Sequence, residues 1–174
     1  MDLPLDIPER TEFTDDGYGV LGRALAVATE YEGNCRALNA VLGLKALPRL
    51  FDYEEIFREF CNSIRRKFLK ANIETIIDKL NIREEEVISK LDIGREARNY
   101  VAHESAIGAP RILEIDSERK HLIEDLSKKV RDLAEANLIV NVIIQLITHE
   151  PIPTENYLRT YPDKVVEWVC EVEP

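Results

Sequence analysis

The chain has 174 residues, 45% of them apolar, 32% charged and 7% aromatic, and its 33 Asp and Glu outweigh 23 Lys and Arg to leave a net charge of −10. That length and apolar share suit one core and one domain, and the scarcity of Gly and Pro excludes repeat, collagen-like and low-complexity classes. The acidic balance excludes a broad nucleic-acid-binding face, which needs clustered cations, while still allowing a small basic pocket on an acidic body.

Residues 1–17 carry Pro4, Pro8 and scattered acids and read as an irregular leader, with neither the basic start nor the apolar run of a secretory signal. From Tyr18 to Leu47 the apolar positions Leu21, Ala24, Ala28, Tyr31, Cys35, Leu38 and Leu42 recur every three or four residues, one face of a long helix that Pro48 stops. Gly22, Gly33 and Gly43 weaken this helix by about 1 kcal/mol each and let a neighbour approach closely. Asp52 and Glu55 form a capping box for a second helix to Leu80, with Ile56, Phe57, Phe60, Ile64, Phe68, Ala71, Ile76 and Leu80 inward.

Asn81 and Glu84 repeat the capping pattern, predicting a third helix over 82–91. Asp92-Ile93-Gly94 reads as a break, with Asp92 capping a fourth helix over 94–106 that Gly108 and Pro110 end. After a loop over 109–116, Ser117 caps the longest helix, which runs to His149 before Pro151 and Pro153. Its half from Leu138 onward is apolar on nearly all sides, as in a bundle centre or a dimer interface. The tail, 150–174, is expected to hold one or two short helices packed on the bundle. The whole reads as an all-α bundle of about five helices over 18–149, with no strand signal.

No stretch reaches the roughly 18 apolar residues that a membrane helix needs. Cys35, Cys61 and Cys170 are odd in number and show no zinc or disulfide spacing, which fits a reducing cytoplasm. P-loop, Rossmann, GxSxG and HExxH patterns are absent.

One segment stands apart: Gly94-Arg95-Glu96-Ala97-Arg98-Asn99-Tyr100-Val101-Ala102-His103-Glu104. On an α-helix Asn99 and His103 share a face and Arg95 lies one turn earlier on it. Arg98 is displaced from His103 by about 140° at 3.6 residues per turn, so its long side chain has to fold round to reach the same spot. Arginine, carboxamide and imidazole suit phosphodiester chemistry without a metal: histidine moves protons near neutral pH, and arginine stabilises growing charge on phosphorus.

The run Arg98-Asn99-Tyr100-Val101-Ala102-His103 resembles the motif of the HEPN superfamily: arginine, often followed by a polar residue, with histidine after a short spacer. Of the fourteen arginines only Arg98 satisfies that spacing. The helix order over 18–149 is also similar to this family's. The resemblance implies a metal-independent endoribonuclease, with a composite site across a homodimer and no cofactor. His103 would be general acid or base, Arg98 would hold the scissile phosphate and Asn99 would orient either group, with Arg95 and Glu104 in support. It further implies an RNA substrate, a toxin or phage-defence setting and an antitoxin or regulatory partner. In members paired with nucleotidyltransferase antitoxins a tyrosine stands two residues after the histidine. Ser105 occupies that position here, so tyrosine modification is not expected. A non-catalytic dimeric interaction module, with Arg98 paired to a glutamate, is the alternative.

The remaining polar features read more plainly. His121 and His149 are surface or helix-end residues, and Arg65-Arg66-Lys67 with Lys70 reads as a solvated helix face, with a phosphate-binding stripe as the alternative. Glu30, Glu32, Asn34, Arg36 and Asn39 give the first helix a polar side that reads as ordinary surface, with a small metal or ligand site, or Arg36 neutralising Glu32, as alternatives. No interleaved aromatic and basic platform for base stacking is evident, and Cys35 and Cys61 read as core.

Overall fold

A computed structural model describes residues 11–47, 49, 53–107 and 109–171. Among these, every regular element is helical and no strand occurs. The helices are α1 (Glu12–Ala46), α2 (Glu54–Arg66), α3 (Leu69–Leu80), α4 (Glu85–Asn99), α5 (Ala109–Ile112), α6 (Asp116–Thr148) and α7 (Glu155–Cys170). A π-helical turn, Tyr100–Glu104, continues α4 without interruption. No helix among the described residues is long and apolar enough to cross a membrane.

The long helices α1 and α6 pack along each other, and α4 and α7 both pack on α6. The buried stripe of α1 is the one its periodicity predicts, Leu21, Ala24, Ala28, Tyr31, Cys35 and Leu38, facing Leu126, Val130, Leu133, Ala136 and Val140 of α6. Burial pushes the Cys35 thiol up to about 12, as expected for a thiolate deprived of water. Tyr31 donates its hydroxyl to the Leu91 carbonyl at 2.8 Å, which fixes α4 against α1.

Several expected boundaries move, each for a local reason. The leader is shorter than 1–17, because Thr11 and Thr14 form a capping box that starts α1 at Glu12. The Asp52 cap lies outside the described residues. The expected single helix to Leu80 is two helices, with Lys67 and Phe68 extended between them, so residues on either side no longer share one face. Ile56 and Phe68, expected inward, are consequently 53% and 85% exposed. The kink is held by Asn72, wholly buried, whose carboxamide donates to the Lys67 carbonyl at 3.3 Å and accepts from Asn39 of α1 at 2.9 Å.

Asn81 caps the end of α3 instead of starting a helix. It adopts a left-handed conformation (φ 52°), and Ile82 N–H closes onto the Ile77 carbonyl at 3.0 Å, the pairing of a Schellman turn. The break expected at 92–94 does not exist. Asp92 accepts from Arg95 Nε at 2.7 Å within the helix, and Gly94 is the point where α4 meets its neighbours. A Cβ there would lie 2.3 Å from the Ala136 Cβ and 3.2 Å from the Tyr31 ring. The loop expected over 109–116 contains the short α5, and α6 begins at Asp116, one residue before the expected Ser117 cap. The tail forms one helix of 16 residues that Thr154 caps, despite the buried Pro162 inside it.

Candidate functional site

The motif lies where α4 gives way to the π-turn, and that change of winding assembles the site. In the turn Ser105 N–H bonds to the Tyr100 carbonyl at 2.9 Å, a five-residue step; such turns inserted in α-helices are frequent at functional sites. Ser105 is buried and donates its hydroxyl to the Val101 carbonyl at 2.8 Å, tying off the turn. The wider winding brings residues five apart onto one face. Arg98 Nη1 therefore lies 3.2 Å from His103 Nε2 and 3.2 Å from Asn99 Oδ1. The wider turn narrows the separation expected of a regular helix, and the long Arg98 side chain closes the rest. A guanidinium can only donate, so in this contact Nε2 of His103 offers its lone pair.

Glu32 of α1 fixes the other edge of Arg98. Arg98 Nε donates to Glu32 Oε2 at 2.8 Å, and Nη2 pairs with the same oxygen. The second oxygen of Glu32 pairs with Arg36, one turn along α1. With a side chain only 12% exposed, Glu32 is part of the site rather than of the ordinary surface the sequence suggested. The polar side of α1 is interior elsewhere too: Asn34 donates to the buried Asn137 at 2.9 Å, and Asn39 to Asn72.

Arg98, Asn99 and His103 open into a cleft of about 500 Å³ between α1, the α2–α3 kink and α4. Of its thirteen lining residues seven are Lys or Arg, and only Glu32 and Glu104 are acidic, an inversion of the charge balance of the chain. Arg65, Arg66, Lys67 and Lys70, read from sequence as a solvated face, are exposed and line the same cleft from the α2–α3 kink. Among the described residues Arg65, Arg66 and Lys67 have no carboxylate partner, and the buried Nε of Arg36 has no hydrogen-bond acceptor.

Arg95 lines the cleft but its guanidinium is held by Asp92 at 2.7 Å and by Glu96 at 3.4 Å, and the hydrogen bond to Asp92 raises its pKa further. Glu104 stands exposed at the cleft edge beside His103. All five residues singled out in the motif thus border one cavity. Sequence reading weighed the polar side of α1 and the basic run as ligand or phosphate sites and favoured plain surface for both; what it missed is that Glu32, Arg36, the basic run at the kink and Phe68 border the same cleft as the motif. The signal for Glu32 was its spacing from Arg36; for the kink there was only the interrupted apolar phase after Ile64.

His121 and His149 lie away from this cleft. The first is 79% exposed in its side chain, 3.8 Å from Glu124, and the second ends α6 in a left-handed conformation. No group of three or more His, Cys, Asp or Glu side chains among the described residues converges in a way that would hold a metal ion. Comparison with protein-family models, with curated proteins and with solved structures gives no match to this chain.

Proposed function

We propose that the cleft binds an RNA backbone and that Arg98 and His103 cleave it without a metal. The observation that carries this reading is the 3.2 Å contact between a guanidinium and an imidazole lone pair, at the edge of a cation-walled cavity on an acidic chain. When Arg98 turns its Nη1–H from His103 to the phosphate, the freed Nε2 lone pair takes the proton of the 2′-hydroxyl, the 2′-oxygen forms a bond to phosphorus, and the bond from phosphorus to the 5′-oxygen breaks. A proton returned to that oxygen leaves a 5′-hydroxyl end and a 2′,3′-cyclic phosphate. Arg98 stabilises the charge that accumulates on the phosphoryl oxygens, and Asn99 keeps the guanidinium in line. The resemblance to HEPN ribonucleases extends the reading to a composite site across a homodimer and to a toxin or defence role with a cognate inhibitor.

The test is cleavage of single-stranded RNA in the presence of a chelator. His103→Ala lowers the rate by about 10²–10⁴-fold, the usual contribution of a positioned proton-transfer group, and Arg98→Ala by about 10²–10³-fold, that of a donor to developing charge. Equal cleavage by wild type and His103→Ala overturns the reading. Growth arrest on expression, relieved by His103→Ala, supports the toxin setting.

A second reading has one observation in its favour: Arg98 is clasped by Glu32, as in a purely structural ion pair. On that reading the protein is a non-catalytic interaction module. It predicts no cleavage by wild type and loss of stability, rather than of activity, in Arg98→Ala.

A further inference from the structure

Phe68 is the one Phe, Tyr or Trp among the described residues lining the cleft, and it is 85% exposed. It stands in the extended link between α2 and α3, with Lys67 before it and Lys70 shortly after, and lines the same cleft as Arg98 and His103 from a different element. The link is not slack. Leu69 is buried beneath it, and the Asn39–Asn72 pair, itself buried, grips the carbonyl of Lys67. A phenyl ring held out to water by a fixed backbone, beside Arg65, Arg66 and Lys67, which have no carboxylate partner among the described residues, presents a flat apolar face where a phosphate chain is electrostatically favoured.

We propose that Phe68 is the stacking shelf for one unstacked nucleobase of a single RNA strand, with Arg65, Arg66 and Lys67 holding the phosphate next to that base. This rests on reading the Arg98–His103 end as the seat of the scissile phosphate, and it names the substrate class: single-stranded segments. Bases in a duplex are already stacked on each other and are not free to lie on a side chain, whereas loops and ends offer them. A cavity of about 500 Å³ is in the size range of small-ligand sites and accommodates one nucleotide. The ring supplies affinity that does not depend on salt, and the cations supply the part that does.

The experiment uses the full chain and 2′-deoxy tetranucleotides, which lack the attacking hydroxyl and are not consumed, with 2-aminopurine placed at each position in turn. Stacking on a ring quenches this base. Wild type quenches strongly at one position. Phe68→Ala abolishes that quench and weakens binding about tenfold, the loss of one base–aromatic stack, and Phe68→Trp restores both. Because Phe68 is so exposed, Phe68→Ala is expected to keep the wild-type circular dichroism. Should wild type show no position-specific quench, or Phe68→Ala keep it, or the same sequence locked in a hairpin stem bind as tightly, the shelf is refuted. The outcomes separate from those above: a Phe68-dependent quench without RNA cleavage leaves the shelf and removes the nuclease, and His103-dependent cleavage with an unchanged quench in Phe68→Ala does the reverse.

Discussion

At the scale of single residues the site is governed by how one carboxylate is shared. Glu32 gives one oxygen to Arg98 and the other to Arg36, so it both aims the arginine of the motif and sets a negative charge where a phosphate has to arrive. These two effects pull measurable quantities in opposite directions. Glu32→Gln removes the repulsion, so substrate binds more tightly and KM falls. It also loosens Arg98, so kcat falls. Each changes by roughly three- to tenfold, the scale of about 1 kcal/mol for one charge contact that is partly open to water. Steady-state kinetics on a short single-stranded RNA reads the two separately. A fall in kcat with no fall in KM would show that Glu32 aims Arg98 without competing with substrate.

Among the elements, α4 decides the geometry through two departures from a regular amphipathic helix: Gly94 and the π-turn. Gly94 packs directly against Ala136 of α6, and the Ala136 Cβ that would meet a new methyl group is fixed to the α6 backbone and cannot rotate aside. Gly94→Ala is therefore expected to destabilise the fold by about 1–3 kcal/mol, lowering Tm by about 2–4 °C for each of these. Gly22 of α1 has open space around the same position, so Gly22→Ala removes only chain entropy and stabilises by about 0.4–1 kcal/mol. Thermal unfolding of the two variants side by side checks the pair. If both shift Tm the same way, the close approach of α4 is not what holds this layer together.

The same two features mark the limit of what the sequence made legible. The apolar phase of α1 and of the first half of α6 was readable because one face of each is buried over many turns, so that errors at single positions average out. Asp92-Ile93-Gly94 looked like a break because glycine and a capping residue act alike at a helix end and at a close crossing. Only the partner, Ala136, distinguishes the two. The motif residues were legible from type and spacing, yet their convergence was not. A π-turn adds one residue to a turn without a residue type that announces it, and here its tie is the buried hydroxyl of Ser105. The basic run and Phe68 read as helix face and core because the kink at Lys67 is held by Asn72 and Asn39, a pair separated by 33 positions in the chain.

For the molecule as a whole, charge is arranged against its own average. The chain carries −10, yet seven of its 23 Lys and Arg line one cavity with only two acids. A polyanion is therefore attracted within the cleft and repelled outside it, and the sum depends on how much of the strand lies in each region. Every phosphate held by the cleft adds a salt-sensitive increment, with a slope of about −0.7 in log affinity against log salt for a single strand. Phosphates beyond the cleft face an acidic surface and add none. Affinity for single-stranded oligonucleotides is thus expected to rise with length over the first few nucleotides and then level off, with the salt slope levelling at the same length. Fluorescence anisotropy with a series of 2′-deoxy oligonucleotides from two to twenty residues, titrated at several salt concentrations, reads both curves. A steady climb in affinity and slope across the whole series would mean that the strand follows cations outside the cleft, and the single-pocket account of recognition would fail with it.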